Sequence, residues 1–296
     1  MHNFKNQSIL GFDVSNNIIS ISCTINGKLI AYFEDMRFNM QAELFVQSID
    51  SLLSKHGLSY QDFQYLGFTN GPGSFTGIRI GLAFAAGVQS LLPDMKLVSV
   101  TNFDLAHYRA VRQVRQWDKT VILLDAYRNQ LYYQIFDRNI PLAKLAHDKQ
   151  MQGPNESTEL RAYMKLSEDS HIDSNAQLSS GVELCKGSNA KNAPSIIDIS
   201  NFSHLVEQIY NDLSENQQNK YKILFVGSGV HLVYQDIKRL IATQNGARSI
   251  QILPRFPIVK SSYICKYIEY CLQENIELNF NLEPLYIRHP DAKIQC

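Results

Sequence analysis

A chain of 296 residues in which Lys plus Arg (28) equals Asp plus Glu (28) has no net charge to hold a polyanion, so any nucleic-acid role would need a local patch or a partner. This length allows one large domain or two lobes and buries roughly three quarters of the unfolded surface without staples. Five scattered cysteines (Cys23, Cys185, Cys265, Cys271, Cys296), no run of about eighteen apolar residues and an opening MHNFKNQSILGF without a signal-like apolar core argue for a reduced, cytoplasmic protein that does not enter a membrane.

Ser8 to Val14 reads as an apolar strand closing on Asp13, and Ser15-Asn16-Asn17 supplies a polar turn. From Ile18 to Ile25 the residues alternate, with Ile19, Ile21, Cys23 and Ile25 on one side and Ser20, Ser22 and Thr24 on the other. Asn26-Gly27 is a type I′ hairpin signal leading into Lys28 to Glu34, so the chain opens with three antiparallel strands. Asp13 and Ser15 stand at the first turn, where a carboxylate can hold a metal-bound water and a hydroxyl can meet phosphate. The same residue types also simply bond a turn's own backbone. Asn39 caps a helix from Met40 to His56 that Gly57 ends; its face of Leu44, Phe45, Ile49, Leu52 and Leu53 is too wide to leave in water.

Tyr65 to Leu92 is the densest stretch: a short aromatic and β-branched run, the break Gly71-Pro72-Gly73, then an apolar, Ala-rich segment, hence strand, tight turn and helix. Ser74 or Thr76 can cap that helix, and its N-terminus favours anions. Asp13, Ser15, Gly71, Gly73 and Ser74 are therefore the candidate nucleotide-facing residues. The spacing of Gly71, Gly73 and Gly77 is one residue too long for the dinucleotide fingerprint, and no Lys follows Gly77 as a Walker loop requires. Within the helix Gly77, Gly81 and Ala85 form one row at four-residue spacing, and Ala83 and Gly87 a second. Each interior glycine costs ~1 kcal/mol relative to Ala. That cost is accepted either to pack closely on the chain's own sheet or to receive a partner helix, and both readings stand.

Leu97 to Val100 is a short strand, and Thr101 caps a helix running toward Arg115. The opening pattern then returns: Val121 to Leu124 closes on Asp125, Arg128-Asn129 turns, and Leu131 to Phe136 is the next strand, which suggests two related lobes. Leu145 to Ala193 is rich in Ser, Asn, Asp and Gly with little periodicity, and reads as a surface excursion. A helix from Asn201 or Ser203 to Leu213, a strand Lys222 to Val226 ending in Gly227-Ser228-Gly229, a helix His231 to Thr243, a strand Ser249 to Leu253, a helix Ser261 to Asn275 and an extended tail Leu282 to Arg288 follow. The expected division is an N-terminal lobe over 1–116 and a C-terminal lobe over 117–296, with the polar insertion near 145–193.

No two of the eight histidines lie within a helical turn of each other, and there is neither Cys-x-x-Cys nor Gly-x-Ser-x-Gly. Neither metal ligands nor catalytic residues are assigned.

The block GPGSFTGIRIGLAFAAGV, Gly71 to Val88, resembles the TsaB family, also called YeaZ, the non-catalytic partner in bacterial threonylcarbamoyladenosine synthesis on tRNA. Similar pieces flank it in order: LGFDVS at Leu10 to Ser15, AELFVQSIDSLL at Ala42 to Leu53, LLDAYRNQLYY at Leu123 to Tyr133 and LEPLYIR at Leu282 to Arg288. The resemblance covers most of the chain except the polar stretch. It implies an α/β fold of the actin-like, Hsp70-like (ASKHA) two-lobed kind, each lobe on a mixed five-stranded sheet flanked by helices.

The resemblance further implies a subunit with a degenerate active site. The catalytic sister, TsaD, carries two metal-binding histidines on the helix equivalent to Met40 to His56, where this chain offers Gln41, Glu43, Gln47 and Asp50. Such a subunit dimerises with and activates a TsaD-type carbamoyltransferase that forms N6-threonylcarbamoyladenosine at position 37 of tRNA. A TsaE-type ATPase joins the assembly, tRNA is met indirectly through the complex, and the subunit alone forms a homodimer. Carried over residue by residue, the docking surface is Ala42, Leu44, Phe45, Ile49 and Leu53 on the first helix and Gly77, Ile78, Gly81, Leu82 and Ala85 on the second. No cofactor is tightly bound on this reading, and ATP or ADP belongs to the complex interface. Asn16-Asn17 where the family often has Thr, and Gly227-Ser228-Gly229 where Gly-Asn-Gly is usual, bear on nucleotide contacts more than on pairing. The alternative is an enzyme in its own right, an actin-like ATPase or kinase or a glycoprotease-like metallopeptidase homologue.

Overall fold

The opening hairpins form as their residues imply. Strands β1 (Ser8–Asp13), β2 (Ile19–Ile25) and β3 (Lys28–Asp35) are antiparallel neighbours, and Asn26 and Gly27 both take positive φ, 51° and 77°, as a type I′ turn demands. After helix α1 (Gln41–Lys55), strand β4 (Tyr65–Thr69) pairs parallel to β1; after α2 (Phe75–Leu91), β5 (Lys96–Val100) pairs parallel to β4. The sheet order is β3-β2-β1-β4-β5.

The computed structural model describes residues 7–16, 18–37, 40–114, 117–137, 193–211, 222–243, 249–253 and 260–288. The expected Asn39 cap, and the polar stretch up to residue 192, lie outside them. Helix α3 (Asn102–Gln113) leads to β6 (Lys119–Asp125), β7 (Gln130–Asp137), β8 (Ser195–Asp198), α4 (Phe202–Asn211), β9 (Lys222–Val226), α5 (Tyr234–Thr243) and β10 (Ser249–Ile252). The second sheet runs β10-β9-β6-β7-β8. It has the wiring of the first: an antiparallel trio, then two strands parallel to the first of the trio. Strand β8, only four residues long, was not among the expected strands, and a 3₁₀ turn over Ser228–Val233 takes the start of the helix expected from His231.

In the first sheet the ring of Phe12 on β1 lies 4.9 Å from Phe45 on α1, 5.7 Å from Phe68 on β4 and 5.5 Å from Phe84 on α2. Such pairs add ~0.5–1.5 kcal/mol each beyond the area they bury, so α1 and α2 are pinned to one sheet face by a shared aromatic centre.

The opposite face holds a surprise. The chain divides into one unit of Met1–Arg109 with Ile258–Cys296 and another of Ala110–Pro257. The expected boundary at 116 therefore falls instead within α3, and the last helix, α6 (Ser261–Glu274), belongs with the first sheet rather than with a C-terminal lobe. The hydroxyl side of β2 is what receives it. Ser20 Oγ donates to Ser261 Oγ (2.9 Å), Ser22 and Ser261 hydroxyls lie 2.5 Å apart, the Ser261 N–H donates to Ser20 Oγ (2.9 Å), and Thr24 Oγ1 donates to Glu269 Oε1 (2.8 Å). A Cβ on Gly67 of β4 would stand 2.5 Å from Ile268 Cδ1 and 2.8 Å from Ile264 Cγ2, so the missing side chain is what lets α6 descend. Ile264 and Ile268 then pack with Ile9, Val98 and Leu105.

Glu269 is buried beneath this helix, and burial raises its carboxyl above the usual carboxylate range; the Thr24 hydroxyl and the charge of Lys266 offset part of that. With the folded pKa above the unfolded one, the stability this group contributes is full below the ordinary range and is lost as pH rises through the folded value. Glu269→Gln keeps an acceptor for Thr24 and removes the titration. Thermal melts across pH should show the variant more stable than the parent near neutrality, with the gap closing toward acid pH; a constant gap would contradict the assignment.

Candidate functional site

Strand β1 ends in Asp13, whose side chain has no exposure. Its Oδ1 accepts from the Ser15 N–H (2.9 Å), from Ser15 Oγ (2.7 Å) and from Thr69 Oγ1; its Oδ2 accepts from Asn16 Nδ2 (2.8 Å). A carboxylate offers about four acceptor sites, two on each oxygen; here Oδ1 takes three donors of this chain and Oδ2 takes one. Ser15 Oγ in turn accepts from Asn102 Nδ2 (2.9 Å), which also donates to the Pro72 carbonyl (2.8 Å).

All five candidate nucleotide-facing residues gather here. Ser15 O accepts from the Ser74 N–H at 2.7 Å, and a Cβ on Gly73 would stand 2.4 Å from the same oxygen. The Gly71 carbonyl accepts from the Asn102 N–H (2.8 Å). Ser74 caps α2 by accepting from the Gly77 N–H (3.2 Å). The Ser15 carbonyl and the Ser74 hydroxyl thus take two of the N–H groups at the glycine turn and helix start. Thr69, Asn16 and Asn102, which complete the cluster, come from three separate segments; the only sequence signal for two of them is a polar residue just at or past the end of a strand.

Among the described residues no group of three or more His, Cys, Asp or Glu is placed to hold a metal. The described thiols are buried, and burial pushes Cys23 up to about 12 and Cys271 up to about 11, far from a nucleophile's range at neutral pH.

The expected docking residues fall mostly inside. Phe45, Ile49, Leu53, Ile78 and Ala85 are core residues; Leu44 and Leu82 pack half-buried against them; Ala42 is exposed. A Cβ on Gly77 would lie 2.0 Å from Val14 O, and one on Gly81 3.1 Å from Phe12 Cε2 and 3.2 Å from Val14 Cγ2. The Gly77-Gly81-Ala85 row therefore seats α2 on its own sheet, and its assignment as a docking notch is corrected: β1 occupies that space. The other row faces out. Ala83 and Gly87 are exposed, nothing lies within 4 Å of a Cβ built on Gly87, and Val46 on α1 (47%) and Leu91 (81%) are open nearby in sequence terms on the same two helices.

A family model described as TsaD, tRNA N6-adenosine threonylcarbamoyltransferase, matches residues 41–295. The tRNA threonylcarbamoyladenosine biosynthesis protein TsaB of Haemophilus influenzae is 26% identical over 129 residues, 44% of this chain and 53% of that one. TsaB of Escherichia coli K12 is 25% identical over 131 residues, 44% of this chain and 55% of that one. The chain spans between half and two thirds of the curated relatives it matches. A solved YeaZ from Pseudomonas aeruginosa matches with a TM-score of 0.55 at 13% identity, covering 95% of this chain and 99% of that one. The fold is that of YeaZ: the expected actin-like α/β arrangement of mixed five-stranded sheets flanked by helices.

If Asp13 is the knot of this end of the sheet, Asp13→Ala strands buried donors at roughly 1–3 kcal/mol each. Urea unfolding should show a lower midpoint at unchanged slope, their product giving a stability loss of that order, whereas a carboxylate held free for chemistry would leave stability level or improved.

Proposed function

The chain belongs to the TsaB (YeaZ) family, and on that premise we propose that it is a non-catalytic subunit that dimerises with and activates a TsaD-type carbamoyltransferase in forming N6-threonylcarbamoyladenosine at position 37 of tRNA. The observation that carries this reading is the outward face of α2, where Ala83 and Gly87 leave room for another backbone to approach closely. The buried state of Asp13 supports it from the other side, since four donors of this chain already engage its carboxylate. Its contribution is then to hold the partner in a competent conformation. A TsaE-type ATPase joins the complex, ATP or ADP is held at the complex interface, tRNA is contacted through the partner, and the free chain forms homodimers by the same face.

Calorimetry of the purified chain with the TsaD-type subunit of the same cell, paired with a tRNA modification assay, tests this. Binding and a modification rate that depends on the chain are expected. ATP turnover by the isolated chain, with no effect on modification, would favour the enzyme reading instead.

The two glycine rows make the face itself testable. Gly87→Arg should abolish complex formation while leaving the melting temperature within a degree or two of the parent. Gly81→Arg should instead unseat α2 from Phe12 and Val14 and lower stability by ~3 kcal/mol or more. Intact binding by a folded Gly87→Arg protein would remove α2 from the interface.

A further inference from the structure

Beyond α6 the chain does not trail away. Ile276 N–H donates to the Cys271 carbonyl (2.8 Å), the Asn279 carbonyl accepts from the Ser99 N–H on β5 (2.9 Å), and Leu282 packs half-buried against the core of the first sheet. The Glu283 carbonyl then accepts from Asn70 Nδ2 (3.1 Å) and the Leu285 N–H donates to the Asn70 carbonyl (2.8 Å). This strap delivers Tyr286 to the start of α2. There the Tyr286 ring lies 5.1 Å from Phe75, Arg79 Cζ lies 3.8 Å over the Phe75 ring, and Arg79 Nε donates to the Tyr286 hydroxyl (3.2 Å).

The corner is built but not closed. Phe75 is 40% exposed and Tyr286 39%, and among the described residues the terminal nitrogens of Arg79 have no acceptor. Along α2 the positions Phe75, Arg79, Ala83, Gly87 and Leu91 are all exposed and follow one another at four-residue spacing, which is a single surface ridge of a helix. The small residues of the docking face and the aromatic corner are thus parts of one line.

We infer that the docking face extends onto the C-terminal strap, and that the corner of Phe75, Arg79 and Tyr286 receives a carboxylate of the TsaD-type partner. This inference rests on the docking reading above. A guanidinium held over one ring and hydrogen-bonded to the hydroxyl of a second has already lost much of its rotamer freedom. Its free outer edge presents paired N–H groups that match the two oxygens of a carboxylate. Arg and Tyr at the end of a close-packed ridge are also the residue types on which binding energy concentrates.

Calorimetry of the full chain with the purified TsaD-type subunit, at low and at high salt, is the test. Arg79→Glu should weaken binding about tenfold or more, and Tyr286→Ala several-fold, with melting temperatures near the parent's; Arg79→Ala should flatten the salt dependence. Arg79→Lys should fail to restore affinity, because a point charge cannot reproduce the planar contact. Absence of binding by the parent chain would sink the docking reading and this inference with it. Binding by the parent that Arg79→Glu and Tyr286→Ala leave within about twofold overturns this inference alone. So does a loss confined to self-association, since the corner would then be filled by a second copy.

Discussion

One buried carboxylate holds the business end of the first sheet together. Asp13 takes hydrogen bonds from the turn that follows it and from Thr69 at the end of β4, and through Ser15 it reaches Asn102 at the start of α3. Its oxygens are met by neutral donors of the same chain, so it works as a structural knot. The same turn offers the Ser15 and Val14 carbonyls to α2, one accepting from the Ser74 N–H and the other crowding Gly77. That contact fixes which side of α2 looks inward. The outward ridge is therefore a consequence of the carboxylate knot, at one remove.

Local features were legible because local chemistry decides them. Asn26-Gly27 takes the backbone angles its residues suggest, and Ser74 caps the helix that follows the glycine turn. What the residues alone could not decide was which of two rows of small side chains faces the sheet. Both rows have the same spacing, and only the arrival of Phe12 and Val14 distinguishes them. The placement of α6 was hidden for the same kind of reason. Ser20 and Ser261 are 241 positions apart, and a serine row on a strand looks identical whether water or a helix covers it.

The echo between the two halves runs deeper than strand order. In the first, the Ser15 N–H donates to Asp13 Oδ1 two residues back (2.9 Å); in the second, the Tyr127 N–H donates to Asp125 Oδ1 in the same way (2.7 Å). Beyond that shared turn they part. Asp13 is buried among four donors, while the turn after Asp125 carries Tyr127, Arg128 and Asn129 all at positive φ, with Tyr127 largely in solvent. The shared wiring lies where the sheet needs it and the differences lie at the loops, which is where a scaffold tolerates change.

The covering of β2 by α6 imposes an order on biosynthesis. A chain emerging from the ribosome at its N-terminal end exposes Ser20, Ser22, Thr24 and the glycine saddle of β4 long before Ser261 and Glu269 have been made. The first unit must therefore wait, with one sheet face wet, while the whole second unit is translated. The early strands acquire their roof only after the intervening unit has been made, so the unit begun first is also completed after the other.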